Sequence, residues 1–511
     1  MATELDLLLI NPGSRSEIYQ ALGETLAAIE PPIWAGMMAS YARTRGYSVA
    51  IIDAEAEGLS PAEVAERVAS ERPVLAAVVV YGHQPSASTQ NMPAAGRICT
   101  AVKATQPEIP LLLVGGHVAA LPERTLREEE ADFVCGGEGL HTISDLLEAL
   151  KSGRPDELGK VRDLWYREGG AARHTAPAPL VKDLDAAVPG VAWDLLPMAT
   201  YRAHNWHCLG HLQRQPYAAI YTTLGCPYHC SFCCIQAPFK SGEQVLGLKQ
   251  SVNSYRLWSP QSVIAQLDTL VNDYGVRNLK VADEMFVLNM RHVNAICDLI
   301  IERRYDLNIW AYARVDTMRG EGTIEKLKEA GVNWLAFGIE SASARVRDDV
   351  QKGFQQDDIF RTIERVQAGG INVIGNYIFG LPEDDLTTMQ ETLDMALQLR
   401  CEFANFYCTM AYPGSQLYDL AVQEGWQLPD TWSGYSQHSV DTLPIPTKHA
   451  TAAEVLAFRD QAFQAYFSDP GYLAFVEGRF GRETADHLRA MAGHRLDRRH
   501  TRPDMVAGGA S

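Results

Sequence analysis

The feature that most constrains this chain is a twice-repeated alternation of short apolar runs with segments of helical spacing. Runs at 5–10, 49–52, 75–81, 110–114 and 132–135 are rich in Leu, Val and Ile and are bounded by Asn-Pro, Gly or Pro. They have the length and composition of strands buried on both faces. Between them, 33–45, 61–70, 93–104 and 140–151 carry apolar residues at helical spacing. Five strands alternating with helices in about 150 residues predict an α/β domain with a doubly wound parallel sheet. A second series starts at Pro216, with strands expected at 217–223, 278–283, 309–315, 334–339, 373–379 and 403–411. Its helices are expected at 260–274, 291–304, 323–330, 357–368, 386–399 and 416–424. Six units fall short of the eight that close a full barrel, so the second domain is expected to be a partial, TIM-like (β/α)6 barrel with its site at the strand C-termini.

These series divide the 511 residues into a sheet domain at 1–151, a linker at 152–214, the partial barrel at 215–425 and a small helical C-terminal region at 426–511. The linker contains a hairpin around Gly169-Gly170. The C-terminal region has helical spacing at 452–467 and 482–491, and its last dozen residues are expected to fray. With 46% apolar and 21% charged residues the chain can build such cores. Its net charge of −18 argues against nucleic acid and anionic lipid surfaces as partners. No run of about 18 apolar residues passes without a charge, and the first residues lack a basic flank and a cleavage site, so a cytoplasmic protein without a membrane span is expected.

Ten cysteines are too sparse for a disulfide scaffold, but three cluster in TTLGCPYHCSFCC after the first strand of the second series. Cys226, Cys230 and Cys233 stand at x3 and x2 spacing. Three thiolates suit a [4Fe-4S] cluster whose fourth iron is open to the amino and carboxylate groups of a ligand. Zinc is the alternative, with His229 in the same loop as a further donor. Cys234 reads as core.

This loop resembles that of the radical S-adenosylmethionine (SAM) enzymes. The resemblance implies a [4Fe-4S] cluster on the three cysteines, SAM bound at the open iron, and an external one-electron reductant of the flavodoxin or ferredoxin type. It further implies cofactor contacts at successive strand ends: Phe232 near adenine, Asp283 and Glu284 (KVADEMF) toward the SAM amino end, Arg314 (YARVD) and Glu340 (FGIES) toward the carboxylate and ribose, and Gly380 with Glu383 in VIGNYIFGLPE. AYPGSQLY adds Tyr412, Pro413 and Gly414 after the sixth strand.

In the first domain the turn after strand one reads INPGSRSE, which lacks the Gly pattern of a dinucleotide site and disfavours NAD. The loops at strand ends instead offer Asn11, a His83 and Ser86 cluster with Ser88 and Thr89, Gly115-Gly116, and FVCGGEG with Gly136, Gly137 and Glu138. These features resemble the cobalamin (B12)-binding module that precedes the barrel in a large subgroup of radical SAM enzymes. The Asp-x-His-x-x-Gly motif that supplies a lower axial histidine is absent, which leaves His83 as a candidate for that face. Together the two resemblances imply methylation of an unactivated carbon in a small-molecule or glycan-precursor substrate placed between the modules. Oxidation, cyclisation or rearrangement with the same cofactors is the alternative, and a non-catalytic B12 or metal sensor a third.

Overall fold

The structure, a computed structural model, describes residues 5–501 apart from 21–22, 24–25, 211–212, 319 and 321. The first sheet is built from β1 (Leu7–Asn11), β2 (Val49–Asp53), β3 (Leu75–Val80), β4 (Leu111–Gly115) and β5 (Phe133–Cys135), parallel in the order β2-β1-β3-β4-β5. Every residue of β1, β3 and β4 is buried, as their unbroken apolar sequences require. Alternate side chains feed two cores. Leu7, Leu9, Leu75, Ala77, Leu112 and Val114 face α1 (Ile33–Arg43) and α4 (Leu140–Ser152), while Leu8, Ile10, Ala76, Val78, Leu111 and Leu113 face α2 (Pro61–Glu71) and α3 (Met92–Thr105). The order reverses between β1 and β3, so the sheet's topological switch point lies outside the C-terminal ends of these two strands.

The second sheet holds six parallel strands in sequential order: β8 (Tyr217–Ile220), β9 (Asn278–Val281), β10 (Asn308–Ala313), β11 (Val332–Glu340), β12 (Asn372–Phe379) and β13 (Phe403–Cys408). Helices α5 (Pro260–Asn272), α6 (Met290–Arg303), α7 (Thr323–Glu329), α8 (Gln356–Ala368), α9 (Leu386–Leu399) and α10 (Gln416–Gln423) follow the expected order. This is the open (β/α)6 arrangement.

The stretch 152–214, expected to be a linker, is structural. Its hairpin, β6 (Leu164–Glu168) and β7 (Ala171–His174), extends the first sheet antiparallel to β5. Farther on, Trp206 enters the barrel, with its ring centroid 5.1 Å from that of Trp310, 5.8 Å from Trp334 and 6.0 Å from Phe403. His207 Nε2 lies 3.0 Å from Asn308 O, and Asn308 Nδ2 donates to His207 O. An incomplete ring leaves apolar strand faces unfilled, and this segment supplies the missing side chains.

The C-terminal region also departs from expectation. Besides α11 (Ala452–Ser468) and α13 (Arg482–Ala492) it contains α12 (Pro470–Phe480), whose Pro start and flanking Asp469 cap close the preceding helix. Buried Arg459 donates from Nε to Phe406 O at 2.8 Å, tying the region to β13, and buried Arg498 donates to Asp460 and to the carbonyls of Gln437 and Ser439, tying the region's end to its beginning. Residues 502–511, where fraying is expected, lie outside the described residues. Among the described residues no helix is long and apolar enough to cross a membrane.

Truncating the aromatic plug is expected to loosen the barrel. Trp206→Ala should cost about 3–5 kcal/mol, read as a lower urea midpoint by tryptophan fluorescence, with the first sheet's helices retained in circular dichroism.

Candidate functional site between the two modules

The C-terminal ends of β1 and β3 face the mouth of the barrel, and the space between is a cavity of about 1070 Å³. From the sheet domain it is lined by Asn11, Glu30, His83 and Ser86, and from the barrel by Phe232, Cys233, Lys280, Glu284, Arg314 and Glu340. The volume exceeds that of a pocket for one drug-sized ligand. His494, Arg498 and Thr501 line it from the C-terminal region, and His204 and Trp206 from the 152–214 stretch, two segments in which the sequence showed no chemistry.

The three-cysteine loop leaves β8 through Thr223 and Leu224, which pair antiparallel with Arg256 and Leu257. Polar side chains hold it in shape. Gln236 Oε1 accepts from Cys226 N at 3.1 Å, Asn253 Nδ2 donates to Cys226 O at 3.0 Å and Tyr228 O at 2.7 Å, and Cys233 N bonds to Cys230 O. Cys226 is buried, Cys230 and Cys233 are partly accessible, and Cys234 is buried. Cys233 faces the cavity, whereas Pro227 is exposed, so the loop separates an inner from an outer side. Burial pushes the Cys226 thiol up to about 12. Among the described residues no group of three His, Cys, Asp or Glu side chains is gathered tightly enough for a single metal ion. An iron–sulfur cluster, with its thiolates on separate irons, fits the all-cysteine donor set.

Around this loop, Phe232, Glu284, Arg314 and Glu340 converge on the cavity. Arg314 is bidentate to Asp316 at 2.9 and 3.1 Å, and its guanidinium lies 3.9 Å over the Tyr228 ring. Glu340 sits at a register shift of β11 with φ +64° and pairs with buried Lys352. A non-glycine residue held in that region is backbone strain of the kind concentrated at functional sites. Burial, reinforced by Asp283, pushes Glu284 up to about 8 against the opposing effect of Lys280.

Asp283 and Gly380 stand elsewhere. Fully buried Asp283 accepts from Thr222 N at 2.6 Å, from Thr223 N at 3.1 Å and from the Thr222 hydroxyl, so it ties β9 to the end of β8 and does not line the cavity. Gly380, at φ +79°, donates its N–H to Asp384 Oδ2, and a Cβ there would lie 2.4 Å from Val455. It is a turn packed on α11. Glu383 is at the surface, paired with Arg345 and Lys448.

In the sheet domain, Asn11 and Ser86 line the cavity, and Asn11 Nδ2 donates to Asp53 Oδ1 at 2.8 Å. His83 also lines it, but its Nε2 lies 2.7 Å from Pro31 O and its Nδ1 3.0 Å from Glu30 Oε1. Its Nε2 is thus engaged by a backbone carbonyl, and its Nδ1 faces the Glu30 carboxylate. Gly115 lies off the cavity, and a Cβ there would strike Val80 O at 2.2 Å, so its glycine serves strand packing. Gly116 lines a small crevice beside Tyr81 and Glu284, with room for a Cβ 3.6 Å from Ser88. Gly137 abuts Asp163 and Ser241, and Glu138 pairs with Arg256 of the barrel at 3.0 Å. Both join the modules and do not line the cavity.

The sequence reading missed the centre of this junction. Glu30 Oε1 lies 3.0 Å from His83 Nδ1, 2.9 Å from Lys280 Nζ and 3.1 Å from Tyr217 OH. Burial alone would raise its carboxyl, but His83 and Lys280 hold it well below the usual carboxylate range. A signal existed in Lys280, a lysine set between Leu279 and Val281 in a strand expected to be buried.

Residues 19–147 match the B12-binding domain family, and residues 220–396 match the radical SAM superfamily. The chain belongs to the cobalamin-binding radical SAM enzymes. Its cofactors are therefore a [4Fe-4S] cluster, SAM and cobalamin. An uncharacterized methyltransferase of Pyrococcus horikoshii is 28% identical over 92% of this radical SAM chain and 94% of its own length. The anaerobic magnesium-protoporphyrin IX monomethyl ester cyclase of Rubrivivax gelatinosus is 26% identical over 81% of this chain and 69% of its own. The fold matches that of the radical SAM methyltransferase TsrM from Kitasatospora setae, solved with cobalamin and a [4Fe-4S] cluster bound, at a TM-score of 0.65 and 17% identity over 91% of this chain and 89% of that one.

Removing the Glu30 charge should leave Lys280 buried without its counter-ion, at a cost of about 3 kcal/mol. Because the folded-state pKa of Glu30 is depressed, its contribution is complete above the ordinary carboxylate value of 4.5 and is lost as pH falls through the folded value. The melting-temperature advantage of the wild type over Glu30→Gln is expected to be full at pH 7 and to shrink below pH 4.5.

Proposed function

We propose that this radical SAM enzyme is a cobalamin-dependent C-methyltransferase acting on an unactivated carbon of a small-molecule or glycan-precursor substrate. The observation that carries the reading is the shared cavity, in which Cys233, Glu284, Arg314 and Glu340 of the barrel face Asn11, His83 and Ser86 at the sheet's switch point. Cys226, Cys230 and Cys233 would hold the cluster, and Asn11, Ser86 and Gly116 would lie against the corrin. The cluster and SAM supply a hydrogen-abstracting radical and the corrin a methyl donor.

The protein's own residues position and shield. Glu284 suits an ammonium and Arg314 a carboxylate at the SAM end. Glu340, held in place by Lys352, presents acceptors toward the ribose. Residues of the 494–501 segment and Trp206 line the cavity, where they would help keep water and stray hydrogen donors from a radical site. His83, engaged by Glu30 and Pro31, offers the corrin face a flat ring and no ligand. The cyclase relative favours one competing outcome, in which the same radical leads to oxidation or ring closure.

Anaerobic reconstitution with SAM, reductant and candidate substrates distinguishes the readings. Methylation yields S-adenosylhomocysteine beside 5′-deoxyadenosine and a product heavier by one methylene. Deoxyadenosine without S-adenosylhomocysteine would assign the cyclase-type outcome, and neither nucleoside would overturn the proposal. Cys230→Ala is expected to lose the brown cluster absorbance and SAM cleavage while corrin per chain stays unchanged.

A further inference from the structure

We propose that the surface of residues 240–252 is the docking site of an external one-electron carrier protein with an acidic face. The proposal rests on the cluster assignment above. Of the six exposed large apolar side chains among the described residues, three fall in this stretch: Val245 at 45%, Leu248 at 36% and Val252 at 45% exposure. Its charged residues are Lys240 and Lys249, both exposed, and Glu243, which is buried against Gln236, Ser254 and Lys240. On a chain of net charge −18, an apolar patch whose two exposed lysines outnumber its one buried carboxylate, that of Glu243 paired with Lys240, is complementary to an acidic partner.

The patch is wired to the three-cysteine loop. Lys240 Nζ donates to Asn253 Oδ1 at 2.8 Å, and Asn253 Nδ2 donates onward to the carbonyls of Cys226 and Tyr228. Glu243 Oε1 accepts from Gln236 Nε2, whose Oε1 receives the Cys226 N–H. These contacts join the patch to the side of the loop where Pro227 is exposed, away from the cavity that Cys233 faces. An electron entering here reaches the cluster without passing through the space reserved for substrate. In the step itself one electron leaves the carrier, which is oxidised by one electron, and the cluster is reduced by one. No bond or proton changes place.

Stopped-flow reduction of the reconstituted holoprotein by photoreduced flavodoxin, followed through cluster absorbance, tests the assignment. Wild-type reduction is expected to slow as ionic strength rises. The pairs Leu248→Ser/Lys249→Glu and Val245→Ser/Val252→Ser should each lower the flavodoxin rate constant about tenfold, with reduction by dithionite unchanged. Equal flavodoxin rates in wild type and both pairs would overturn the proposal, as would an equal fall with dithionite or a wild-type dimer that the pairs dissociate. If wild-type protein holds no cluster reducible by dithionite, the cofactor assignment fails as well.

Discussion

One partly buried carboxylate sets the relation between the two modules. Glu30 belongs to the segment that leaves the sheet domain's first strand, yet its partners Lys280 and Tyr217 are barrel residues, and His83 comes from the loop after β3. An ammonium as enclosed as that of Lys280 is tolerable only with a counter-ion at contact distance, so the sheet edge cannot drift from the barrel mouth without exposing both charges to an apolar setting. The same contact anchors His83 and the loop that carries Ser86.

Other junctions follow from this placement. Glu138 reaches Arg256, beside the ribbon that introduces the cysteine loop, and Gly137 lets Asp163 and Ser241 approach. The inner core of the sheet domain runs through Leu180, Trp193 and Trp206 into the barrel without a break. With the modules joined by charge on one side and by a continuous apolar core on the other, two cofactor edges can face one cavity, an arrangement suited to a reaction that needs both at a single carbon.

The strands and helices were legible because each is a local pattern. Fully apolar runs read as doubly covered strands, and the helices expected at 61–70, 260–274 and 386–399 form at Pro61–Glu71, Pro260–Asn272 and Leu386–Leu399. The cysteine loop was legible because its spacing is contiguous in sequence. Glu284, Arg314, Glu340, Asn11, His83 and Ser86 reach the cavity, since strand ends in parallel sheets gather on one edge. Asp283 and Gly380 stand off the cavity because a residue at a strand end can equally bond to its neighbouring strand or form a turn, and sequence does not say which. Gly115, Gly137 and Glu138 also stand off it, their contacts being directed at packing and at the other module.

By itself, the sequence determined the two α/β series, their order and the trio of thiolates, since these depend on hydrophobic period and on residues close along the chain. Tertiary structure alone decided that Glu30 meets Lys280 across 250 positions, that the supposed linker fills the barrel, and that the C-terminal helices form a wall of the site. Such contacts join residues whose local patterns carry no mark of their partners. They arise only when burial forces charges and unfilled apolar surface to find complements wherever the fold has brought them.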